Sequence, residues 1–187
     1  QTVTIGTQIW HIKNLDVSTF RNGDTIPEAK TFEEWQKAGQ NGKPAWCYYD
    51  NDFENNKKYG KLYNWYAVSD SRGLAPQGWH IPTDNEWTKL LHGFGNGSKA
   101  ADYLKSDSGW FENGNGSNKT GFTALPGGCL MHDRGFGFIE EDAIWWSASE
   151  YFMDDAWAIF LIHIKENGPT RIFYSKQEGL SVRCIKD

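Results

Sequence analysis

The residues best suited to catalysis or metal binding do not fall into a recognisable motif. No C-x-x-C or H-x-x-x-H spacing occurs, so the sequence predicts no zinc site. Ser147 and Ser149 lie outside any G-x-S-x-G motif and have no base close in sequence, so they are predicted to be structural hydroxyls. The residues considered for metal binding are His11, His80, His92, His132, His163, Cys47, Cys129 and Cys184.

Oxygen ligands for a hard cation are concentrated in residues 50–56. Asp50, Asp52 and Glu54 are candidate calcium ligands because carboxylates are preferred by this ion. The segment lacks the glycine at position six and the glutamate at position twelve of an EF-hand loop, and a solvated turn is the alternative interpretation. We therefore predict no cofactor and keep calcium as an open alternative.

Paired carboxylates would be needed for glycoside hydrolysis. Glu140, Glu141, Asp142 and Glu150 could supply such a pair in principle. The separation of two carboxyl groups depends on the fold, so the sequence selects no two of them. Two glycine-rich stretches, 93–97 and 135–137, lack the strand–helix setting and the Lys-Ser/Thr pair of a phosphate loop, and they are predicted to be ordinary loops.

Aromatic residues are unusually frequent. The chain of 187 residues contains ten Trp, eleven Phe and eight Tyr, together with twenty Gly. This mixture is typical of chains with many turns and short strands, in which large rings fill irregular spaces. We expect most of the rings in the core, although exposed rings would also suit stacking on sugars.

The overall composition limits the class of protein. Hydrophobic residues make up 39% and charged residues 23%, as in a folded domain, and we interpret 1–187 as one domain. No apolar run is long enough to cross a bilayer. The net charge of -5 without a Lys/Arg cluster disfavours nucleic acid as a partner. The chain starts with Gln1, and we expect that a targeting segment has been removed.

The predicted elements place helices in the first half of the chain and antiparallel strands in the second. Capping residues Thr31 and Thr83, each followed by Glu three positions later, predict helix starts. This separation indicates an α+β fold. The predictions are a hairpin over 1–17, helices over 31–38, 61–68, 83–94 and 100–105, a loop or ribbon over 43–60, and strands over 143–149, 157–165, 170–175 and 180–185.

Five segments occur together in an order that one bacterial family shares. They are K-L-Y-N-W-Y-A (61–67), G-W-H-I-P-T-D-N-E-W (78–87), G-F-T-A-L-P-G-G (121–128), W-W-S-A-S-E (145–150) and G-L-S-V-R-C (179–184). The combination resembles the Fibrobacter succinogenes major paralogous domain, which is common in secreted and surface proteins of Bacteroidetes. This resemblance covers essentially the whole chain and implies a C-type-lectin-like fold.

Residues 81–87 are also similar to formylglycine-generating enzymes, which share that fold and depend on a reactive cysteine pair. Cys129 and Cys184 lie in scaffold-like contexts, so the activity is not carried over. Family members often have Cys in place of Ala75, which would pair with Cys184, so the resemblance implies that Cys184 is unpaired and buried here. The Glu-Pro-Asn and Gln-Pro-Asp tripeptides of animal C-type lectins are absent, and calcium-dependent sugar binding is not implied.

The resemblance also points to a ligand-binding segment. In some related lectin-like domains, diversity-generating retroelements vary the residues between the W-W-S-x-x-E motif and the last strand, and these residues face a ligand. The matching stretch is 151–176, which is more apolar than a loop requires. The alternative is that its rings pack beneath the loop at 96–121. The predicted ligand-binding residues are Tyr151, Phe152, Trp157, Ile159, Phe160, His163, Arg171 and Tyr174.

Three classes of function follow. The favoured one is a non-catalytic recognition module of a secreted or cell-surface bacterial protein, binding a glycan or a protein through residues 151–176. A hydrolase or a formylglycine-generating-like enzyme is the second. The third is a structural or adhesive tip unit, including a retroelement-diversified receptor-binding protein. For the first class, we expect either a lipid anchor or a place within a larger surface protein.

Overall fold

The computed structural model describes residues 1–95 and 97–187, so Asn96, in the glycine-rich stretch 93–97, lies outside the described residues. The described chain has an α+β architecture of short helices and small antiparallel sheets, as predicted. Its helices are α1 (Phe32–Gln40), α2 (Phe53–Tyr59), α3 (Trp65–Val68), α4 (Asp84–His92) and α5 (Ser98–Leu104). Its strands are β1 (Thr2–Ile5), β2 (Gln8–His11), β3 (Trp46–Cys47), β4 (Leu62–Tyr63), β5 (Trp79–His80), β6 (Gly127–Met131), β7 (Gly135–Ile139), β8 (Asp142–Phe152), β9 (Asp155–Ile162), β10 (Thr170–Ser175) and β11 (Ile185–Lys186).

The strands form four small sheets. One has the order β1-β2-β11-β5 and brings the two ends of the chain together, because Ile185 pairs with both Trp10 and His80. A second has the order β10-β9-β8 and contains the longest strands. The pairs β3-β4 and β6-β7 form two-stranded ribbons. The second of these sheets is called the central sheet below.

Two helices begin where their capping residues predict. The Thr31 hydroxyl accepts a hydrogen bond from the Glu34 backbone N–H at 3.2 Å, at the start of α1. At the start of α4, Thr83 and Glu86 form the full reciprocal capping box, with distances of 3.3 and 2.8 Å. Helix α1 continues two residues past the predicted end at residue 38, and Gly39 in this extension packs closely against Gln177.

Several predicted boundaries are wrong. Residues 135–137 are part of β7, not a loop, and pair with β6. The predicted loop or ribbon at 43–60 contains α2, while the predicted helix at 61–68 starts only at Trp65, after a β-strand. The predicted strand at 180–185 is mostly irregular, because its backbone bonds go to several different elements instead of one neighbouring strand.

The central sheet is covered on both faces. Adjacent Trp145 and Trp146 of β8 point to opposite sides because side chains alternate along a strand. The face with Trp145 and Ile159, called the first face, packs against Trp10, Trp87 and their neighbours. The face with Trp146, called the second face, packs in a separate cluster with Trp46 and Tyr63. Most tryptophans are core residues, as predicted; the buried ones are Trp10, Trp35, Trp46, Trp65, Trp87, Trp110, Trp145 and Trp146.

Arg183 connects the core to the chain ends. Its side chain is completely buried and donates hydrogen bonds to the carbonyl oxygens of His11 at 3.0 Å and Phe122 at 2.7 Å. It also donates to Asn14 Oδ1 from Nε and Nη2, at 3.1 and 2.9 Å. The same Asn14 oxygen accepts from the Trp145 indole at 2.8 Å. The guanidinium is therefore satisfied by neutral acceptors, and burial lowers its pKa to about 9.

Candidate functional site

Three aromatic side chains of the central sheet contact one another on the first face, beyond the end of the packed core. Tyr151 stacks on Phe173 with ring centroids 4.4 Å apart and meets Trp157 edge-to-face at 4.5 Å. Phe173 is the cross-strand partner of Trp157. Tyr151 and Phe173 remain 45% and 46% exposed. We call Tyr151, Trp157 and Phe173 the aromatic patch.

A charged pair adjoins the aromatic patch on one side. The Arg171 guanidinium lies 3.4 Å from the centre of the Trp157 ring, which is a cation–π contact. Its Nε lies 2.5 Å from Asp84 Oδ1, in the first turn of α4. The Asp84 backbone N–H donates to Ser149 Oγ at 3.0 Å, so α4 and β8 are joined at this point. Arg171 is thus held by a ring on one side and a carboxylate on the other.

The turn between β8 and β9 carries two exposed apolar side chains. Phe152 and Met153 at this turn are 65% and 74% exposed. Exposed large apolar side chains next to one another are typical of interaction sites, whereas single ones are ordinary surface features. Tyr151 of the aromatic patch is thus followed along the chain by two further exposed apolar residues, Phe152 and Met153.

Lys176, the residue after β10, holds the base of that turn. It is buried, it pairs with Glu150, the last residue of the W-W-S-x-x-E segment, and it donates to the Met153 carbonyl oxygen at 2.6 Å. Its ammonium group also lies 4.9 Å from the centre of the Trp65 ring. The turn is therefore attached to the core by a desolvated cation.

The predicted ligand-binding residues divide into separate groups. Tyr151, Trp157 and Arg171 come together as described, and Phe152 follows Tyr151 at the exposed turn. Ile159 was predicted to contact ligand, and this is wrong: it is 2% exposed and belongs to the core of the first face. Successive side chains of β9 point to opposite faces of the sheet. The Ile159 side chain therefore points to the first face, into the packed layer beneath α4.

Three further predicted residues lie away from the aromatic patch. Phe160 and Tyr174 are on the second face of the central sheet, where they pack against the Trp146 cluster. His163 follows β9 and contacts Phe111, with ring centroids 5.5 Å apart. These residues do not join the site built by Tyr151 and Trp157.

Phe173 and Asp84 belong to the site but were not among the predicted residues. Phe173 could have been found from its spacing, since it is two residues after Arg171 on the same strand and therefore shares its face. Asp84 comes from a distant segment, and nothing in its local sequence indicates that α4 begins beside β10.

The candidate calcium ligands are not gathered into one site. Asp52 Oδ1 caps α2 by accepting from the Glu54 N–H at 2.9 Å, and Glu54 pairs with Lys57 at 2.5 Å. Asp50 is an exposed residue of the preceding turn. Across residues 1–95 and 97–187, no group of three or more His, Cys, Asp or Glu side chains is arranged to hold a metal ion.

All three cysteines are buried and free, as the resemblance implied for Cys184. Burial raises the pKa of both Cys129 and Cys184 to about 12, which keeps the thiols protonated near neutral pH. Ala75 and Cys184 are members of the same core cluster. The thiolate character that a reactive cysteine needs is therefore suppressed at these positions.

Comparison with known proteins adds one decisive observation. The model of the Fibrobacter succinogenes major domain matches residues 3–186. The chain belongs to this family. No curated protein and no solved structure matches the Fibrobacter succinogenes major domain described here. Within the described part of this domain, no helix has the length and apolar character required to span a bilayer.

Proposed function

We propose that this Fibrobacter succinogenes major domain is a non-catalytic recognition module of a secreted or cell-surface bacterial protein, with a C-type-lectin-like fold. The proposal rests on one observation: Tyr151, Trp157 and Phe173 contact one another and Trp157 also contacts Arg171, yet two of the three rings remain nearly half exposed. A ring that is already held by its neighbours loses little conformational freedom when a ligand covers it.

The chemistry of the site suits contact with a ligand. Aromatic residues, Met and Arg are enriched at the centres of binding interfaces, and aromatic faces also stack on sugar rings. The Arg171–Asp84 pair borders the rings and supplies donors and acceptors that orient a ligand. The ligand is a glycan or a protein, and the apolar turn at Phe152 and Met153 would enlarge the contact with either.

The test compares two phenylalanines of equal exposure. Phe173 and Phe111 are both 46% exposed, but only Phe173 is in the aromatic patch. The purified domain and its Phe173→Ala and Phe111→Ala variants are applied to glycan and protein arrays. We expect Phe173→Ala to lose at least about tenfold in affinity for the captured ligand, since truncating a central aromatic anchor costs about 2 kcal/mol or more.

The Phe111→Ala variant is expected to bind like the unmodified domain. Melting temperatures of both variants show whether a loss of binding reflects unfolding. Equal binding by all three proteins, or equal losses in the two variants, would refute the proposal. A chelator added to a parallel array distinguishes a calcium-dependent ligand from a calcium-independent one.

A further inference from the structure

A second candidate site lies on the opposite face of the central sheet. A cavity of about 560 Å³ opens between the β6–β7 ribbon and the second face. Its apolar lining is supplied by both sides; these side chains are Met131, Phe136, Phe138, Phe160, Ile162 and Tyr174. The volume falls within the range typical of small-molecule sites, roughly 300–1,000 Å³. The cavity therefore has the size and the walls of a ligand pocket.

One carboxyl group is buried in this apolar setting. Asp142, the first residue of β8, lines the cavity and is only 6% exposed. Its cross-strand partner is Ile162, another lining residue, so its side chain is on the second face. Within 1–95 and 97–187, burial and the neighbouring Glu141 are the influences on its carboxyl group, with no hydrogen bond or cation among them.

The other buried charged groups nearby are compensated. Glu178 accepts from the His132 backbone N–H at 2.6 Å and lies 2.8 Å from His132 Nδ1. Lys176 pairs with Glu150, as described above. An ionised carboxylate in this setting is costly without a partner, and Asp142 can avoid the cost by holding a proton. A ligand that brings a positive charge to the cavity would offer a second way to meet that cost.

The groups around Asp142 favour a cation. Glu141 adds a second carboxylate at the cavity, and the one cation among the described lining residues, Arg134, is exposed and lies 3.2 Å from the Asp133 carboxylate. Tyr174 and Cys129 stay neutral, because burial raises the pKa of each to about 12. Burial, with a smaller contribution from Glu141, raises the pKa of Asp142 to about 7, so a bound cation would restore its ionised form.

We propose that this cavity binds an organic ammonium ion carried on an apolar stem. The Asp142 carboxylate pairs with the ammonium group. The rings of Phe136, Phe160 and Tyr174 contact the apolar stem and present their faces to the cation. A hard metal ion fits less well, since calcium requires six to eight oxygen ligands and these walls are mainly rings. A neutral ligand could donate a hydrogen bond but would leave the negative charge of the carboxylate uncompensated.

The test uses the two methionines of the chain as reporters. Met131 lines the cavity, whereas Met153 is at the exposed turn beside the aromatic patch. In protein labelled with ¹³C at the methionine methyl groups, NMR titration at pH 8 compares benzylammonium chloride with benzyl alcohol, its neutral analogue. We expect benzylammonium to shift the Met131 signal, leave the Met153 signal in place and bind at least about tenfold more tightly than the alcohol.

The variant Asp142→Asn removes the charge and keeps the shape. It should abolish the preference for benzylammonium, while the control Glu140→Gln, which removes an exposed neighbouring carboxylate, should change affinity by less than about twofold. An unmoved Met131 signal, or equal affinities for the two probes in the unmodified domain, would overturn the proposal without any variant. A shift of Met153 alone would also overturn it, and would leave the proposed recognition function standing.

Discussion

Single residues carry buried charge in this domain in two different ways. Arg183 is surrounded by carbonyl and amide oxygens, so its charge is solvated by the protein. Asp142 lies among apolar groups and Glu141, and burial raises its pKa to about 7, so it stays protonated at mildly acidic pH. Burial of a charge stabilises a protein only when enough partners replace the lost water, and these two residues represent the two outcomes.

The raised pKa of Asp142 predicts a pH dependence of stability. The folded state keeps this proton up to about pH 7, whereas the unfolded chain releases it near pH 3.8. Between these values the folded state binds more protons, so Asp142 makes the free energy of unfolding fall as pH rises. The loss is on the order of 2–4 kcal/mol across the window. The groups facing Asp142 are Glu141, Arg134, Cys129 and Tyr174, and of these only Glu141 and Arg134 are charged.

Urea denaturation of the unmodified domain and of Asp142→Asn at pH 4, 5.5, 7 and 8 measures this effect. The variant should become the more stable protein as pH rises toward 7, because its side chain cannot ionise. Two curves that remain parallel over the whole range would contradict the raised pKa.

At the scale of elements, the β6–β7 ribbon depends on one close backbone approach. Gly128 has φ +63°, and a β-carbon there would lie 2.5 Å from the Gly137 carbonyl oxygen and 2.8 Å from a Tyr49 ring carbon. A β-carbon on Gly137, in the partner strand, would have no atom within 4 Å. The two glycines therefore occupy the same ribbon for different reasons.

This contrast predicts opposite effects of the same substitution. Gly128→Ala should lower the free energy of unfolding by about 2 kcal/mol or more, because it combines a strained φ with a backbone clash. Gly137→Ala should be neutral or slightly stabilising, because it restricts the unfolded chain without strain. Chemical denaturation measures both, and similar values for the two variants would show that the ribbon does not require this approach.

The helices and strands also show which elements can be predicted from local sequence. Helices α1 and α4 were predictable because Thr31 and Thr83 act within one turn of their own helices. The β6–β7 ribbon was not, because Gly135 and Gly137 are typical of loops and the pairing depends on contacts with Tyr49 and other distant residues. Residues 180–185 look like a strand, but Leu180 bonds to Tyr63 and Ser181 to Ile144, so successive residues serve different neighbours.

The candidate site was predictable as a segment but not as a set of side chains. Residues 151–176 do contain Tyr151, Trp157 and Arg171. Alternation could not separate them from Ile159 and Phe160, because both faces of the central sheet are covered and apolar residues are needed on each. The cavity around Asp142 is formed in part by the β6–β7 ribbon. Because this ribbon was not predicted, the cavity could not be predicted from the sequence.

At the scale of the whole molecule, Arg183 joins segments that are far apart in the chain. It contacts His11 and Asn14 near the N-terminus, Phe122 in the middle and, through Asn14, the Trp145 indole. Its ring contacts, 4.4 Å to Phe122 and 5.8 Å to Trp145, place it inside the first-face core. The ends of the chain and the central sheet are therefore coupled through one side chain.

The variant Arg183→Lys should lower the free energy of unfolding by about 2–4 kcal/mol. An ammonium group has no planar fork to reach these acceptors together, so buried carbonyl groups lose their partners. Urea denaturation with tryptophan fluorescence provides the value, and the exposed Arg134→Lys variant, expected within about 0.5 kcal/mol of the parent, is its control. A small effect at Arg183 would mean that the chain ends are held mainly by the pairing of Ile185 with Trp10 and His80.

The irregular register of β8 has a consequence for sequence variation during evolution. Pairing with β9 is interrupted between Trp146 and Glu150 and again between Glu150 and Phe152. These shifts separate the register of the core half of the strand from that of its outer half, so we expect an extra residue beyond Glu150 to be absorbed without moving Trp145 and Trp146. Under the proposed recognition function, this division would let residues beyond Glu150 vary to suit a ligand while Trp145 and Trp146 keep the fold.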